Sequence, residues 1–462
     1  MPEGRSHLVH PDRGHRRVER LIVCHWRWLA LARWMGCHHE RKAHCLRQRH
    51  AWHVLEQHLI HLVGGVAMTE PLTQTGCACT NRTFPQMNRQ KLLGFAGLML
   101  VSIFAHGSDT ENLDISRGHD LLEPKIQYLG VGGWLVHWRG EGLLLAPSFS
   151  NPESFMGLPP LRVVANKGRI DKYMPEAKDV TMLLVGHGHY DHLLDVPWVM
   201  KMHTPKATLY GSDTVVNMLR SMRFENKTVD DTWTHVDPNR LRTVNTKIVV
   251  NGETWTSGYM ATVQSCEGRQ DASTPGHWIR STGGHIRAMP IQSMHASHFL
   301  GITIADGSYP TELNEVPTSV FKWKQGQSMA WLIDLLDATQ PDDSKAKVEH
   351  RIHFQDSAAN PPCGFPSPLP ENHPVDVEIL GVGSWDNVKN YPDEILKLTR
   401  PKLVLLGHWE NFFGNDPGDE NPKPLPHQDI IGMRKAVDRV VKEAGINATV
   451  SMPAPLKEVK LP

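Results

Sequence analysis

The sequence predicts an α+β layered fold, and three observations carry that prediction. Apolar runs of strand length recur between residues 126 and 406. Helical patterns lie among them without strict alternation, which argues against a doubly wound parallel sheet. The last long pattern, 430–444, is a helix with one apolar face. With 40% hydrophobic side chains, the 462 residues are ample for a packed core, which excludes wholesale disorder.

The first 86 residues differ from the rest. They hold 12 Lys+Arg against 6 Asp+Glu, 11 of the 28 His and 5 of the 7 Cys, without helical or strand periodicity. Cys24, Cys37 and Cys45 with His25, His38, His39 and His44 invite a zinc reading. No CxxC pair occurs, however, and the spacings match no structural zinc module. The plainer reading is a stretch outside the native protein, and the residues after Met87 support it. Asn88-Arg89-Gln90-Lys91 is a short positive region, Leu92 to Ala105 is apolar, and Ala105 and Gly107 are the small residues a signal peptidase reads. A buried core helix is the alternative. Fourteen apolar residues fall short of the roughly 20 that a membrane span needs, so no stable span is expected. The expectation is translation from Met87, a signal peptide over 87–107, a linker over 108–125 and a globular domain over 126–462. Export would be to a periplasmic or extracellular compartment. The exported chain keeps only Cys266 and Cys363, either paired or as two buried thiols.

Within the domain, strands are expected at 126–129, 134–138 and 143–145, turned by Gly130, Gly132, Gly133 and Gly142. The compact apolar run 182–185 reads as a buried strand. Further strands follow at 248–250, 286–291, 330–333, 352–354, 377–380 and 403–406. Helices are expected at 213–222, 393–399 and 430–444. The last has Ile430, Met433, Val437, Val440 and Ala444 on one face and is closed by Gly445. The Pro-, Asp- and Asn-rich stretches 340–345, 360–374 and 415–426 read as surface loops. A formal charge of zero and the absence of a long basic run argue against a nucleic-acid partner.

The strongest chemical signal is Gly186-His187-Gly188-His189-Tyr190-Asp191-His192, delivered by the strand before it. His187 and His189, two apart in an extended segment, point the same way and can grip one ion. Asp191 and His192 begin the next turn and can aim at a second. Imidazole and carboxylate are the ligands that borderline divalent ions such as Zn²⁺ prefer. A His-rich polar loop is the bland alternative, and three His in six residues, against 28 in 462, argue against it. His295, Asp356 and His408 each stand just past an apolar run, where side chains from several strands can converge on one sheet edge.

This pattern resembles the metallo-β-lactamase superfamily over residues 126–455. The form His187-Gly188-His189-Tyr190-Asp191-His192-Leu193-Leu194-Asp195 is similar to the branch containing N-acyl-phosphatidylethanolamine phospholipase D and related phosphoester hydrolases. The resemblance implies a four-layer αβ/βα sandwich with two divalent metal ions, Zn²⁺ first among the candidates, at one end. By motif position His187, His189 and His295 hold the first, Asp191, His192 and His408 the second, and Asp356 bridges them. His298 competes with His295, which is favoured because it comes first after the strand; His298 then faces the substrate as a proton donor. Many relatives carry an Asp where Leu145-Ala146-Pro147 stands, so support for the ligand loop has to come from elsewhere.

The implied chemistry is attack by a metal-bridging hydroxide on a phosphodiester-type bond of a small-molecule or lipid-like substrate, with Asp191, Asp356 and His298 as the catalytic set. Three alternatives stay open: a lactonase or carboxylic ester hydrolase, a non-catalytic metal-binding protein, and di-iron redox chemistry. β-Lactam hydrolysis is disfavoured because the last three metal positions carry no Cys. Tyr190 and Glu410 are weaker candidates for assisting the metals. Trp385, Trp409, Phe412 and Phe413 either wall an apolar pocket or belong to the core.

Overall fold

The apolar runs assemble into two mixed sheets that face each other. The structure, a computed structural model, describes residues 113–154, 161–222, 236–245, 247–250, 253–256, 259–266, 273–298, 303–339, 342, 345–367 and 373–462. The cysteine-rich opening, the signal segment and the start of the expected linker lie outside the described residues.

An eight-stranded sheet begins at its edge with β1 (Ile115–Ser116), and a seven-stranded sheet is built on β2 (Lys125–Gly130), β3 (Gly133–Trp138), β4 (Glu141–Leu145), β5 (Val180–Leu184), β6 (Thr208–Gly211) and β7 (Leu241–Thr243). β8 (Lys247–Val250) and β9 (Glu253–Thr256) form a separate hairpin. The eight-stranded sheet continues with β10 (Ile279–Arg280), β11 (Ile286–Gln292), β12 (Met329–Leu336), β13 (Val348–Gln355), β14 (Val377–Gly381), β15 (Leu403–Gly407) and β16 (Thr449–Pro453). The last strand, β17 (Glu458–Lys460), crosses over to pair antiparallel with β2, while β1 pairs parallel with β16. Each sheet runs antiparallel on one side and parallel on the other: β4 to β7 are parallel in the first, β13 to β16 in the second.

Alternation along the strands sorts the side chains into layers. Tyr128, Trp134, Val136, Leu143, Leu145, Met182 and Leu184 share a core with Trp331, Ile333, Ile352 and Phe354 of the other sheet. Their neighbours Leu129, Leu135, Leu144 and Leu183 pack against the helices α1 (Lys167–Tyr173), α2 (Tyr190–Leu193), α3 (Val196–Met202) and α4 (Asp213–Ser221). The second sheet is covered by α5 (Asp393–Thr399) and α6 (Ile430–Glu443), which bury Ile395, Leu396, Met433, Val437 and Val440. Each such buried side chain contributes about 1.5–3 kcal/mol. α6 starts where the Asp429 carboxylate caps the Gly432 N–H at 2.7 Å and stops before Gly445, whose φ of 59° suits a glycine. The result is the four-layer αβ/βα sandwich expected.

The expected linker is a point of difference. Its Ile115 pairs with Met452, and Leu113 and Ile115 pack on the core, so the fold starts before residue 126. Two apolar residues are too few to show a strand until β16 supplies the partner. Cys266 and Cys363 form a disulfide, with Cα atoms 4.9 Å apart, which decides between the two alternatives for these thiols. Among the described residues no helix is long and apolar enough to cross a membrane.

Candidate metal centre

The strand directions bring the site together. β11 and β13 are both antiparallel to β12, and β13, β14 and β15 are parallel, so β11, β13 and β15 end on one edge. His295, Asp356 and His408 follow those ends. From the other sheet, β5 delivers the loop carrying His187 and His189. That loop is stitched down by Met329 N–H donating to the Gly186 carbonyl at 2.9 Å and Gly188 N–H donating to the Gln325 carbonyl at 2.8 Å. α2 then carries Asp191 and His192 on its single turn.

All seven side chains that the motif singles out meet there. They form three overlapping groups: His187, His189 and His295; Asp191, His192 and His408; and His187, His192 and Asp356. Within each group the ligand atoms lie within 4.8 Å of one another. Asp191 Oδ2 is 3.4 Å from His192 Nε2 and 3.3 Å from His408 Nε2. Asp356 sits between the first two groups, its Oδ2 2.8 Å from His187 Nδ1 and its Oδ1 2.9 Å from His192 Nδ1. His295 is the one that joins His187 and His189, with ring centroids 4.6 and 4.7 Å away. His298 stacks on His295 at 4.9 Å and also lies 5.5 Å from the His189 ring.

Sterics fix the backbone around the cluster. A Cβ at Gly132 would lie 2.5 Å from His192 Nδ1 and 2.7 Å from Asp356 Oδ1, and a Cβ at Gly186 would lie 2.5 Å from Asp356 Cβ. Glycine lets both chains close on the carboxylate.

The electrostatics suit cations. Burial, reinforced by neighbouring imidazoles, pushes His189 and His295 well below the usual histidine range, and His187 is lowered in the same way. Three neutral imidazoles therefore face one point. Burial also opposes charge on His192, but Asp356 and Asp191 outweigh it and push that group up to about 10. Both carboxylates stay below their usual range in spite of burial, held chiefly by His192.

The donor atoms test whether divalent ions fit. A carboxylate only accepts, so His187 Nδ1–H donates to Asp356 and leaves Nε2 basic. His295 Nδ1 donates to the Ala296 carbonyl at 2.6 Å, which likewise leaves Nε2 basic. Among the described residues, His187 Nε2, His189 Nε2, His192 Nδ1 and Asp356 Oδ1 are buried without a hydrogen-bond partner. The last two face each other at 2.9 Å as an ion pair, so of these four atoms His187 Nε2 and His189 Nε2 are the ones left unengaged. Buried polar atoms cost free energy unless something engages them. Three nitrogens on one side, two nitrogens and an oxygen on the other, and a carboxylate between them fit a pair of borderline divalent ions.

The weaker candidates separate. Tyr190 packs in the helix-side apolar cluster. Trp409 is fully buried and donates to the Pro453 carbonyl, and Trp385 donates to the Asp429 carbonyl at the start of α6. Phe412 does reach the site, edge-on to His408 at 5.3 Å, with the Phe413 ring tilted beside it at 4.4 Å. Glu410 is buried and bonded to Val131 N and Tyr128 OH.

The sequence reading passed over Asp195, the last residue of the motif. Its Oδ2 accepts from Phe149 N at 2.6 Å and Ser150 N at 2.7 Å, and its Oδ1 accepts from Ser150 Oγ. Asp195 thus ties the loop after β4 to the ligand helix, supplying from α3's N-terminal end the support that Ala146 cannot give. Its place in the motif was the available signal.

No family model and no curated protein matches the chain. Among solved structures it is similar to Igni18, a metallo hydrolase from Ignicoccus hospitalis, at 13% identity over 72% of this chain and 97% of that one, with a TM-score of 0.36. It is similar to the metallo-β-lactamase fold protein YhfI from Bacillus subtilis at 12% identity over 73% and 99%, TM-score 0.36. It is also similar to CmlA, a diiron β-hydroxylase from Streptomyces venezuelae, at 14% identity over 73% of this chain and 54% of that one, TM-score 0.35. The chain spans about half the length of CmlA.

Proposed function

We propose that this chain is an exported, dinuclear metal-dependent hydrolase that cleaves a phosphodiester-type bond in a small-molecule or lipid-like substrate. The single observation behind the reading is the meeting of five His and two Asp on one rim, where among the described residues the buried Nε2 atoms of His187 and His189 have no hydrogen-bond partner. His187, His189 and His295 would hold one ion, Asp191, His192 and His408 the other, with Asp356 serving both. When bound there, two divalent cations such as Zn²⁺ would supply Lewis acidity toward water and a phosphoryl oxygen.

The chain's own residues do the rest. Asp356, clamped between Gly132 and Gly186, is held with one oxygen against His187 and the other against His192. Asp191 balances charge opposite His408. His298 accepts the Ile304 N–H on Nδ1 at 3.1 Å, so its proton is on Nε2. Burial, with the neighbouring histidines, pushes its pKa down to about 4. In that neutral form it offers a substrate oxygen a fixed hydrogen-bond donor. Phe412 and Phe413 give the His408 side an apolar wall suited to an alkyl or acyl group. The Cys266–Cys363 disulfide supports an oxidising destination.

Elemental analysis of the purified full chain should return close to two metals per chain, and turnover of bis(p-nitrophenyl) phosphate should vanish in Asp191→Ala. No bound metal would sink the reading. Turnover of a lactone or carboxylic ester alone would move the chemistry to carbonyl carbon.

A further inference from the structure

We propose that Glu410 is the positioning residue of the group Asp191, His192 and His408, acting through Tyr128 on the His408 backbone and through Val131 on the turn beneath His192 and Asp356. The inference rests on the hydrolase reading only for what the group binds.

His408 is a ligand candidate with a left-handed backbone, φ 58°, immediately after β15 ends. Val131, in the β2–β3 turn, has φ 51°, a conformation that a β-branched residue rarely adopts. Such backbones are strained and persist only where the surroundings over-determine them. One buried carboxylate does so for both. Glu410 Oε1 accepts from Val131 N–H at 2.6 Å, and Oε2 accepts from Tyr128 O–H at 2.5 Å. The same phenol oxygen accepts from His408 N–H at 2.8 Å. The next residue of the turn, Gly132, is the one pressed against His192 Nδ1 and Asp356 Oδ1. Glu410 therefore sets two sides of the second group at once. Among the described residues its side-chain hydrogen bonds run to Val131 and Tyr128 and to no ligand side chain, which makes it a positioning residue rather than a catalytic one.

The full chain, freed of metal by chelation, is titrated with Co²⁺ and followed by absorption. The wild type should show two binding events. In Glu410→Ala and Tyr128→Phe the event at Asp191, His192 and His408 should weaken about 10–100-fold, as loss of ligand-orienting partners typically does, and by more than the other event. Glu410→Gln should restore it, because the amide oxygen still accepts from Val131 while its NH₂ donates to the Tyr128 oxygen. In the metal-free chain, the His408 and Val131 amide protons should exchange faster in Glu410→Ala than in the wild type or Glu410→Gln. Wild-type Co²⁺ affinities together with unchanged amide exchange in Glu410→Ala would overturn the proposal, as would equal weakening of both events in Tyr128→Phe. A wild type that binds no Co²⁺ would instead sink the hydrolase reading, with amide exchange still deciding the role of Glu410.

Discussion

Gly132→Ala is the sharpest test of the site's geometry. The added Cβ would stand 2.5 Å from His192 Nδ1 and 2.7 Å from Asp356 Oδ1, about 0.9 Å inside ordinary van der Waals contact at the closer atom. Neither neighbour can swing away. Asp356 is blocked on its other side by Gly186, and both side chains are 1–2% exposed. Gly132 lies outside the left-handed backbone region, so the cost is steric rather than conformational. The ligand pair must therefore move by close to 1 Å, and a misplacement of that size costs about 10²-fold in rate, or about 2.7 kcal/mol in the barrier. Turnover of bis(p-nitrophenyl) phosphate should fall by that factor, alongside reduced metal content. The melting transition should stay cooperative, since the clash is local to the rim. Wild-type turnover with two bound metals in Gly132→Ala would refute the idea that His192 and Asp356 are held at working distance by the β2–β3 turn.

Other perturbations probe separate parts of the molecule. Replacing Cys266 and Cys363 by Ser opens a link across 97 residues and should cost about 2–4 kcal/mol; a denaturation midpoint insensitive to reductant would argue against the pairing. His298→Phe keeps a ring stacked on His295 but removes the Nε2–H donor, and should lower kcat about 10²-fold at unchanged metal content; an unaltered kcat would remove His298 from the reaction. Asp376 is held below the usual carboxylate range, burial opposing the shift and Lys402, Arg351 N–H and His373 favouring it. A depressed folded pKa means that this carboxylate stabilises the fold above about pH 4 and ceases to as pH falls further. Asp376→Asn should therefore flatten the acid limb of urea midpoints measured from pH 3 to 7, and an acid limb parallel to the wild type would count against the assignment.

The ligands were legible in the sequence because their logic is local. A strand places its end at a sheet edge, and the two-residue spacing of His187 and His189 fixes a shared direction without knowledge of any neighbour. The same holds for the strands themselves: β14, β15 and α5 fall where their apolar runs end, because each carries its own period. β1, β6, β7, β10 and β17 did not announce themselves. They have two to four residues apiece, and their strand character comes from the partner they pair with rather than from a pattern of their own.

What supports the ligands was illegible for a related reason. Glu410 lies 279 residues from the amide it holds and 282 from the phenol, and no periodicity connects such positions. As a type, a lone Glu after a candidate ligand reads equally as assistant to a metal or as anchor for a turn, and only its acceptors separate the two. Gly132 is the same case: in the sequence it is one turn glycine among several, and only the approach of His192 and Asp356 shows that a side chain there would strike the ligands. A sequence can thus expose the atoms that would meet a cation while leaving hidden the contacts that hold them in reach, because the first depend on spacing along the chain and the second on which distant segments the folded sheets bring into register.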